Sequence, residues 1–135
     1  RGAVYIVFLQ SAGAGGVGGT AEYRAHTKIS ETSGAGWVPV SPTNDMWCGL
    51  NIAPASLAGT AGSIAFGCAN DDDGAANAGA VYVLALSSPS SGVAAVDATS
   101  KLSASHGDLA AAGLAPAAGD KWGSAVAALP DLDGD

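Results

Sequence analysis

Residues 1–9, RGAVYIVFL, return as residues 78–86, AGAVYVLAL, at an offset of 77. Each stretch is rich in Val, Ile, Tyr and Phe, runs about eight residues, and is bounded by Gly or Ser clusters, which is the pattern of a β-strand. The near-continuous hydrophobicity predicts burial on both faces, as in stacked sheets. Two further blocks repeat in the same order. Lys28-Ile29-Ser30 returns as Lys101-Leu102-Ser103 at an offset of 73, and Asp45-Met46-Trp47 as Asp120-Lys121-Trp122 at an offset of 75. Three blocks with nearly equal offsets define an internal repeat whose loops vary in length between fixed elements.

Working outward from these strands, 21–29, 48–55, 63–68, 96–103 and 123–129 are the further strand candidates. GAGGVGG (13–19), SPTND (41–45), DDDG (71–74) and SSPSSG (87–92) have loop compositions. LAAAGLAPAA (109–118) is alanine-rich, but Gly113 and Pro116 interrupt it, so it is read as loop. About seven short strands and little helix predict an all-β chain. The composition agrees: 48% of the 135 residues are hydrophobic, yet 30 are Ala and 20 are Gly, which favours thin, closely packed layers over a core of large side chains.

With 12 acidic against 5 basic residues the net charge is −7, and no basic patch exists. Nucleic acid and anionic membrane surfaces therefore lack their electrostatic footprint here. No apolar run approaches the ~18 residues of a membrane-spanning helix. Two cysteines and two distant histidines, His26 and His106, lack zinc-site spacing. The chain starts at Arg1 without Met and stops at Asp135, and so reads as a processed product or a piece of something longer.

WGSAVAALPDLDGD (122–135) resembles the opening of an FG-GAP repeat, the blade unit of integrin-α-type β-propellers. In that family a Phe-Gly strand leads into a calcium loop, roughly D-x-D-x-D-G-x-x-D, followed by a Gly-Ala-Pro strand and a G-x-V-Y-V strand. Trp122-Gly123 stands for the Phe-Gly, Asp131, Asp133 and Asp135 match the first three ligand positions, and GAVYIVFL and GAVYVLAL match the G-x-V-Y-V strand. The resemblance implies about two four-stranded antiparallel propeller-type blades in one domain, 1–135, incomplete at the ends. Residues 1–46 are the end of one repeat plus an insertion, 47–103 a degenerate full repeat, and 104–135 the start of the next. It also implies calcium at Asp131, Asp133 and Asp135 as half of a site, against the plainer reading of a solvated acidic tail. Residues 31–43 match nothing in the family.

At the offset of 75, Trp47-Cys48 replaces Phe-Gly in the middle copy, and Ser56, Ala58 and Thr60 fall where the calcium-loop aspartates sit. Calcium takes six to eight oxygen ligands, several of them anionic, so this loop has lost its metal. The same alignment places Cys48 and Cys68 on adjacent strands of one blade. A disulfide there would staple the copy that lacks calcium, with two buried free thiols as the alternative reading.

The remaining features favour plain roles. Gly13-x-Gly15-x-x-Gly18 formally fits a dinucleotide fingerprint, but no amphipathic helix follows it, so a flexible loop is the better reading. Asp71-Asp72-Asp73-Gly74 reads as a solvated turn, with a second cation site as its sharper alternative. His26 and His106 have no nucleophile or carboxylate partner implied by spacing, and no G-x-S-x-G elbow exists. Trp47 and Trp122 occupy the repeat's packing position, which leaves Trp37 free for another role. There is no N-x-S/T sequon, whereas VPVSPT (38–43) and SSPSSG (87–92) are candidate O-glycosylated loops against a plain-loop reading.

Two blades cannot close a propeller of four to eight. The sequence therefore predicts a non-enzymatic extracellular or cell-surface protein with a structural or adhesive role. Its leading form is a subunit of a larger assembly or filament, self-associating through head-to-tail completion of repeats. One rival is a calcium-stabilised propeller segment of an adhesion receptor with a protein ligand. The other is a propeller accessory to a hydrolase domain outside these residues.

Overall fold

The computed structural model of the chain describes residues 2–11, 21–30, 32, 36–40, 46–55, 62–87 and 93–129. Six antiparallel strands form two sheets, and no helix occurs among the described residues. β1 (Val4–Ser11) and β2 (Ala21–Ile29) make a two-stranded sheet. β3 (Cys48–Ala55), β4 (Ser63–Cys68), β5 (Ala80–Leu86) and β6 (Val96–Leu102) make a four-stranded sheet in that order. The all-β expectation holds, with one four-stranded sheet and, at the end where the unit was expected to be incomplete, a two-stranded one.

The repeat written in the sequence is a repeat of register. Tyr5 pairs with Lys28 as Tyr82 pairs with Lys101, and Val4 with Ile29 as Val81 with Leu102. Both hairpins slip at the equivalent step, between Phe8 and Leu9 in one and between Ala85 and Leu86 in the other. A bulge leaves an extra residue on one strand and sharpens the local twist, so the two hairpins carry the same bend at the same place.

Strand alternation decides which residues meet. The register puts Cys48, Cys68 and Ala80, and then Phe66 and Tyr82, on one face of the larger sheet. That face shares a buried core with Val4 and Ile29 of the smaller sheet and with Trp37 and Met46 from the connecting segment. Trp37 stands edge-on to Phe66 and Tyr82, with ring centroids 5.5 and 5.6 Å away, while Phe66 and Tyr82 stack at 5.7 Å. Such pairs contribute roughly 0.5–1.5 kcal/mol each beyond area burial, which matters in a chain with few large side chains. Trp37 is thus a central core residue and is not free for another role.

The step from one sheet to the next is taken twice. A Cβ on Gly2 would run into the carbonyl of Cys48, and a Cβ on Gly79 into the carbonyl of Trp122. Likewise Gly49 faces the Ala3 carbonyl and Gly123 the Ala80 carbonyl. Gly49 and Gly123 have φ of 85° and 83°, and the residues two before them, Trp47 and Lys121, have φ of 48° and 51°. The structural equivalent of Trp122-Gly123 is therefore Cys48-Gly49, one residue from the alignment that matched the two tryptophans. This slip turns Trp47 outward, 56% exposed, instead of into the packing position expected for it.

Two other expectations are corrected. Only Trp122 of the stretch around 123–129 makes a β-bridge, to Gly79, and no strand forms there among the described residues. A strand needs a run of backbone hydrogen bonds to a neighbour, and among the described residues the Gly79–Trp122 bridge is the one ladder contact made here. Burial on both faces holds for β5, whereas Tyr5, Val7 and Leu9 of β1 are exposed on the side away from the core.

Candidate functional site

The most concentrated polar chemistry lies at one end of the larger sheet. The turn after β4 is set by backbone bonds: Asp71 N–H donates to Cys68 O at 3.1 Å, and Gly79 N–H to Asp71 O at 2.9 Å. Asp71 Oδ1 accepts from Asp73 N–H at 2.9 Å, the local side-chain turn that places Asp at such positions. At the far end of the β5–β6 hairpin, Lys101 points into the core side of the sheet, opposite Tyr82.

The Lys101 ammonium and the Asp71 carboxylate are both almost fully buried, and their atoms lie 3.0 Å apart (Nζ to Oδ2). Nζ also reaches Asp73 Oδ2 at 3.1 Å, donates to Asp71 Oδ1 at 3.2 Å and donates to Val40 O at 3.0 Å. The Tyr82 ring lies 5.6 Å from it, and the Tyr82 hydroxyl donates to the same Val40 carbonyl at 2.9 Å. Two carboxylates and a carbonyl converge as they do around a metal ion, and the cation they hold is the chain's own ammonium. Lys101 thus occupies the space between Asp71 and Asp73, while Asp72 in the middle of the turn stays exposed.

Asp73 is the hub of a second layer. Ser103 Oγ donates to Asp73 Oδ2 at 2.8 Å, Ser105 Oγ donates to Oδ1, and His106 Nδ1 lies 2.6 Å from Oδ2. Burial alone would raise the Asp73 pKa. The hydrogen bonds from Ser105, Ser103, Lys101 and His106 outweigh it and hold the carboxyl well below the usual carboxylate range. Burial, followed by the charges of Asp71 and Asp73, pushes the Tyr82 phenol above its ordinary value. His106 thus has a carboxylate partner that its sequence neighbourhood did not reveal.

Serine, histidine and aspartate in contact invite comparison with a nucleophilic triad, and the geometry differs. A triad places the carboxylate on one ring nitrogen and the serine on the other. Here Ser103, Ser105 and Asp73 all gather at Nδ1 of His106, and both hydroxyls donate to the carboxylate. The cluster is built to hold a turn against a hairpin.

Cys48 and Cys68 form a disulfide between paired positions of β3 and β4. Asp131, Asp133 and Asp135 lie outside the described residues, as do Ser56, Ala58 and Thr60 and the glycine loop containing Gly13, Gly15 and Gly18. Among the described residues no group of three or more His, Cys, Asp or Glu side chains is arranged to hold a metal ion. His26 is exposed, its Nδ1 2.8 Å from the Tyr23 hydroxyl and its ring tilted against Tyr5 and Tyr23. No helix among the described residues is long and apolar enough to cross a membrane. No protein-family model matches the chain, and neither the curated proteins nor the solved structures contain a match to it.

Proposed function

We propose that this chain is a non-enzymatic extracellular protein with a structural or adhesive role, built of FG-GAP-like sheet repeats stacked in the manner of propeller blades. In this reading it acts as one subunit of a larger surface assembly or filament, joined head to tail. One observation carries the reading. Two hairpins of the same register stand in different situations, the second with its Tyr82 side buried under the first, and the first with the equivalent Tyr5 side open. A repeat that covers its neighbour and is itself uncovered is an unfinished stack.

The twice-taken glycine step supports a regular succession of sheets. The disulfide is compatible with an oxidising, extracellular setting. Calcium enters through the resemblance alone, at Asp131, Asp133 and Asp135, since the described carboxylate pair Asp71–Asp73 already holds Lys101.

Sedimentation velocity of the chain across a concentration series, with calcium and then with a chelator, tests the reading. Assemblies that grow with concentration are expected, and shrinkage on chelation would assign the contact to the terminal aspartates. A compact monomer under every condition contradicts self-assembly. Such a monomer would favour a receptor segment if it bound a protein ligand, or a hydrolase accessory if a catalytic domain accompanied it.

A further inference from the structure

A lysine amine becomes a nucleophile once it loses its proton, and a carboxyl group becomes an acyl donor once it gains one. Burial removes the hydration that favours the charged forms of both. The Lys101 and Asp71 side chains are 1% and 0% exposed, and the Tyr82 ring beside the ammonium is fully buried. Nζ lies 3.0 Å from Oδ2 and 3.2 Å from Oδ1 of Asp71, within the range at which held groups react with one another.

The two Asp71 oxygens differ in how they are held. Oδ1 accepts from the Asp73 backbone N–H at 2.9 Å as well as from Nζ. It is held as an amide oxygen would be, with an N–H donor already aimed where negative charge develops on addition to a carbonyl. Oδ2 is buried, and among the described residues nothing donates a hydrogen bond to it, although Nζ stands 3.0 Å away. An unsatisfied buried oxygen is costly to keep, and its departure breaks no hydrogen bond. A second carboxylate is in reach of the same nitrogen: Asp73 Oδ2 lies 3.1 Å from Nζ, fixed from its other side by Ser103 and His106.

We propose that Lys101 and Asp71 condense into an intramolecular isopeptide bond, with Asp73 relaying the proton. The ammonium first passes a proton to Asp71, which gives an amine and a carboxylic acid. Nζ then adds to Cγ, the carbonyl electron pair moves onto Oδ1, and Asp73 takes a proton from the nitrogen. Collapse restores the Cγ–Oδ1 double bond and breaks Cγ–Oδ2, and Asp73 returns its proton to the departing oxygen, which leaves as water. One ammonium and one carboxylate become one amide and one water, with no oxidant or reductant. Asp73 ends as the carboxylate it was, among Ser103, Ser105 and His106. The bond removes the unsatisfied Oδ2 together with two buried charges, and ties the turn after β4 to the end of β6, 30 residues later. It lies within one chain and is independent of whether copies assemble. Lys28, the counterpart of Lys101 by register, keeps its amine and serves as the internal control.

Intact mass spectrometry of the folded chain, followed by digestion after denaturation and reduction, tests the bond. The expected mass is one water below that of the reduced sequence. Trypsin is expected to cut after Lys28 and not after Lys101. Chymotrypsin, cutting after Tyr82, is expected to leave the pieces carrying Asp71 and Lys101 joined. The full sequence mass with cleavage after Lys101 overturns the proposal. So does a loss of water that leaves Lys101 open to trypsin and joins no peptides, the mark of a succinimide at Asp73-Gly74. Lys101→Met is expected to regain the full mass. Two carboxylate variants with the wild-type circular dichroism spectrum then separate the relay from the fold. Asp73→Asn is expected to slow cross-linking after refolding at least about a hundredfold, as loss of a general acid–base group does. Asp72→Asn, at the exposed middle of the turn, is expected to leave the rate unchanged. A folded Asp73→Asn chain that cross-links as fast as wild type overturns the relay.

Discussion

The β1–β2 and β5–β6 hairpins have the same strand register and the same bulge, and they differ in what surrounds them. In β5–β6 the tyrosine is stacked, hydrogen-bonded and covered, and the lysine is locked between two aspartates. In β1–β2 the tyrosine is exposed, and among the described residues no carboxylate pairs with Lys28. The strand sequence specifies the hairpin, while the layer packed upon it decides whether a residue is core or surface. Identical residue types at identical register positions should therefore give very different mutational costs.

The largest contrast is expected at the lysines. Lys101→Met leaves Asp71 buried and uncompensated beside Asp73, and should cost about 3–5 kcal/mol, the range for breaking one side of a buried ion pair. Lys28→Met should change stability by no more than about 0.5 kcal/mol, as ordinary surface substitutions do. Denaturant unfolding of the two variants makes the comparison, and equal costs would break it.

The disulfide comes next. Its half-cystines are 20 residues apart, and closing a loop of that length in the unfolded chain contributes roughly 3 kcal/mol. The double variant Cys48→Ser, Cys68→Ser should lower the denaturation midpoint accordingly. Hydrogen exchange should quicken in β3 and β4 before it does in β1 and β2.

A smaller effect separates the tyrosines. Tyr82→Phe removes a bond to the Val40 carbonyl and should cost about 1 kcal/mol, whereas Tyr5→Phe should cost nothing measurable. Asp73 shows its effect as a pH dependence. Its folded pKa is depressed, so its contribution is complete above the unfolded value of about 4 and is lost as the pH falls toward the folded value. Asp73→Asn should flatten that acid limb of the stability profile. Tyr82 acts in the opposite sense: its pKa is raised, so stability falls as the pH climbs above about 10.

Much of the fold was legible because the repeat is carried by whole strands. GAVY followed by a hydrophobic run, and a lysine-x-serine at each hairpin's far end, mark both hairpins and their register. The alignment around the tryptophans was off by one residue because it followed residue identity, whereas the backbone follows the glycines at φ near 85°. Trp37 was misread for a related reason. Its partners Phe66 and Tyr82 lie in the next sheet, where no local pattern points. The Asp71–Asp73–Lys101–His106 cluster was hidden because its members are about 30 residues apart and meet only when the β5–β6 hairpin folds back. A signal was nonetheless present. The lysine repeated at the same hairpin position was that signal, and DDDG was the acidic cluster available to it in the middle repeat.

Hydroxyl-radical footprinting of Tyr5 and Tyr82, at low and then at high protein concentration, tests the central comparison most directly. The account predicts that Tyr82 resists oxidation throughout, while Tyr5 reacts readily in dilute solution and becomes protected as copies associate. Equal reactivity of the two tyrosines in dilute solution, or a Tyr5 whose reactivity ignores concentration, would contradict it.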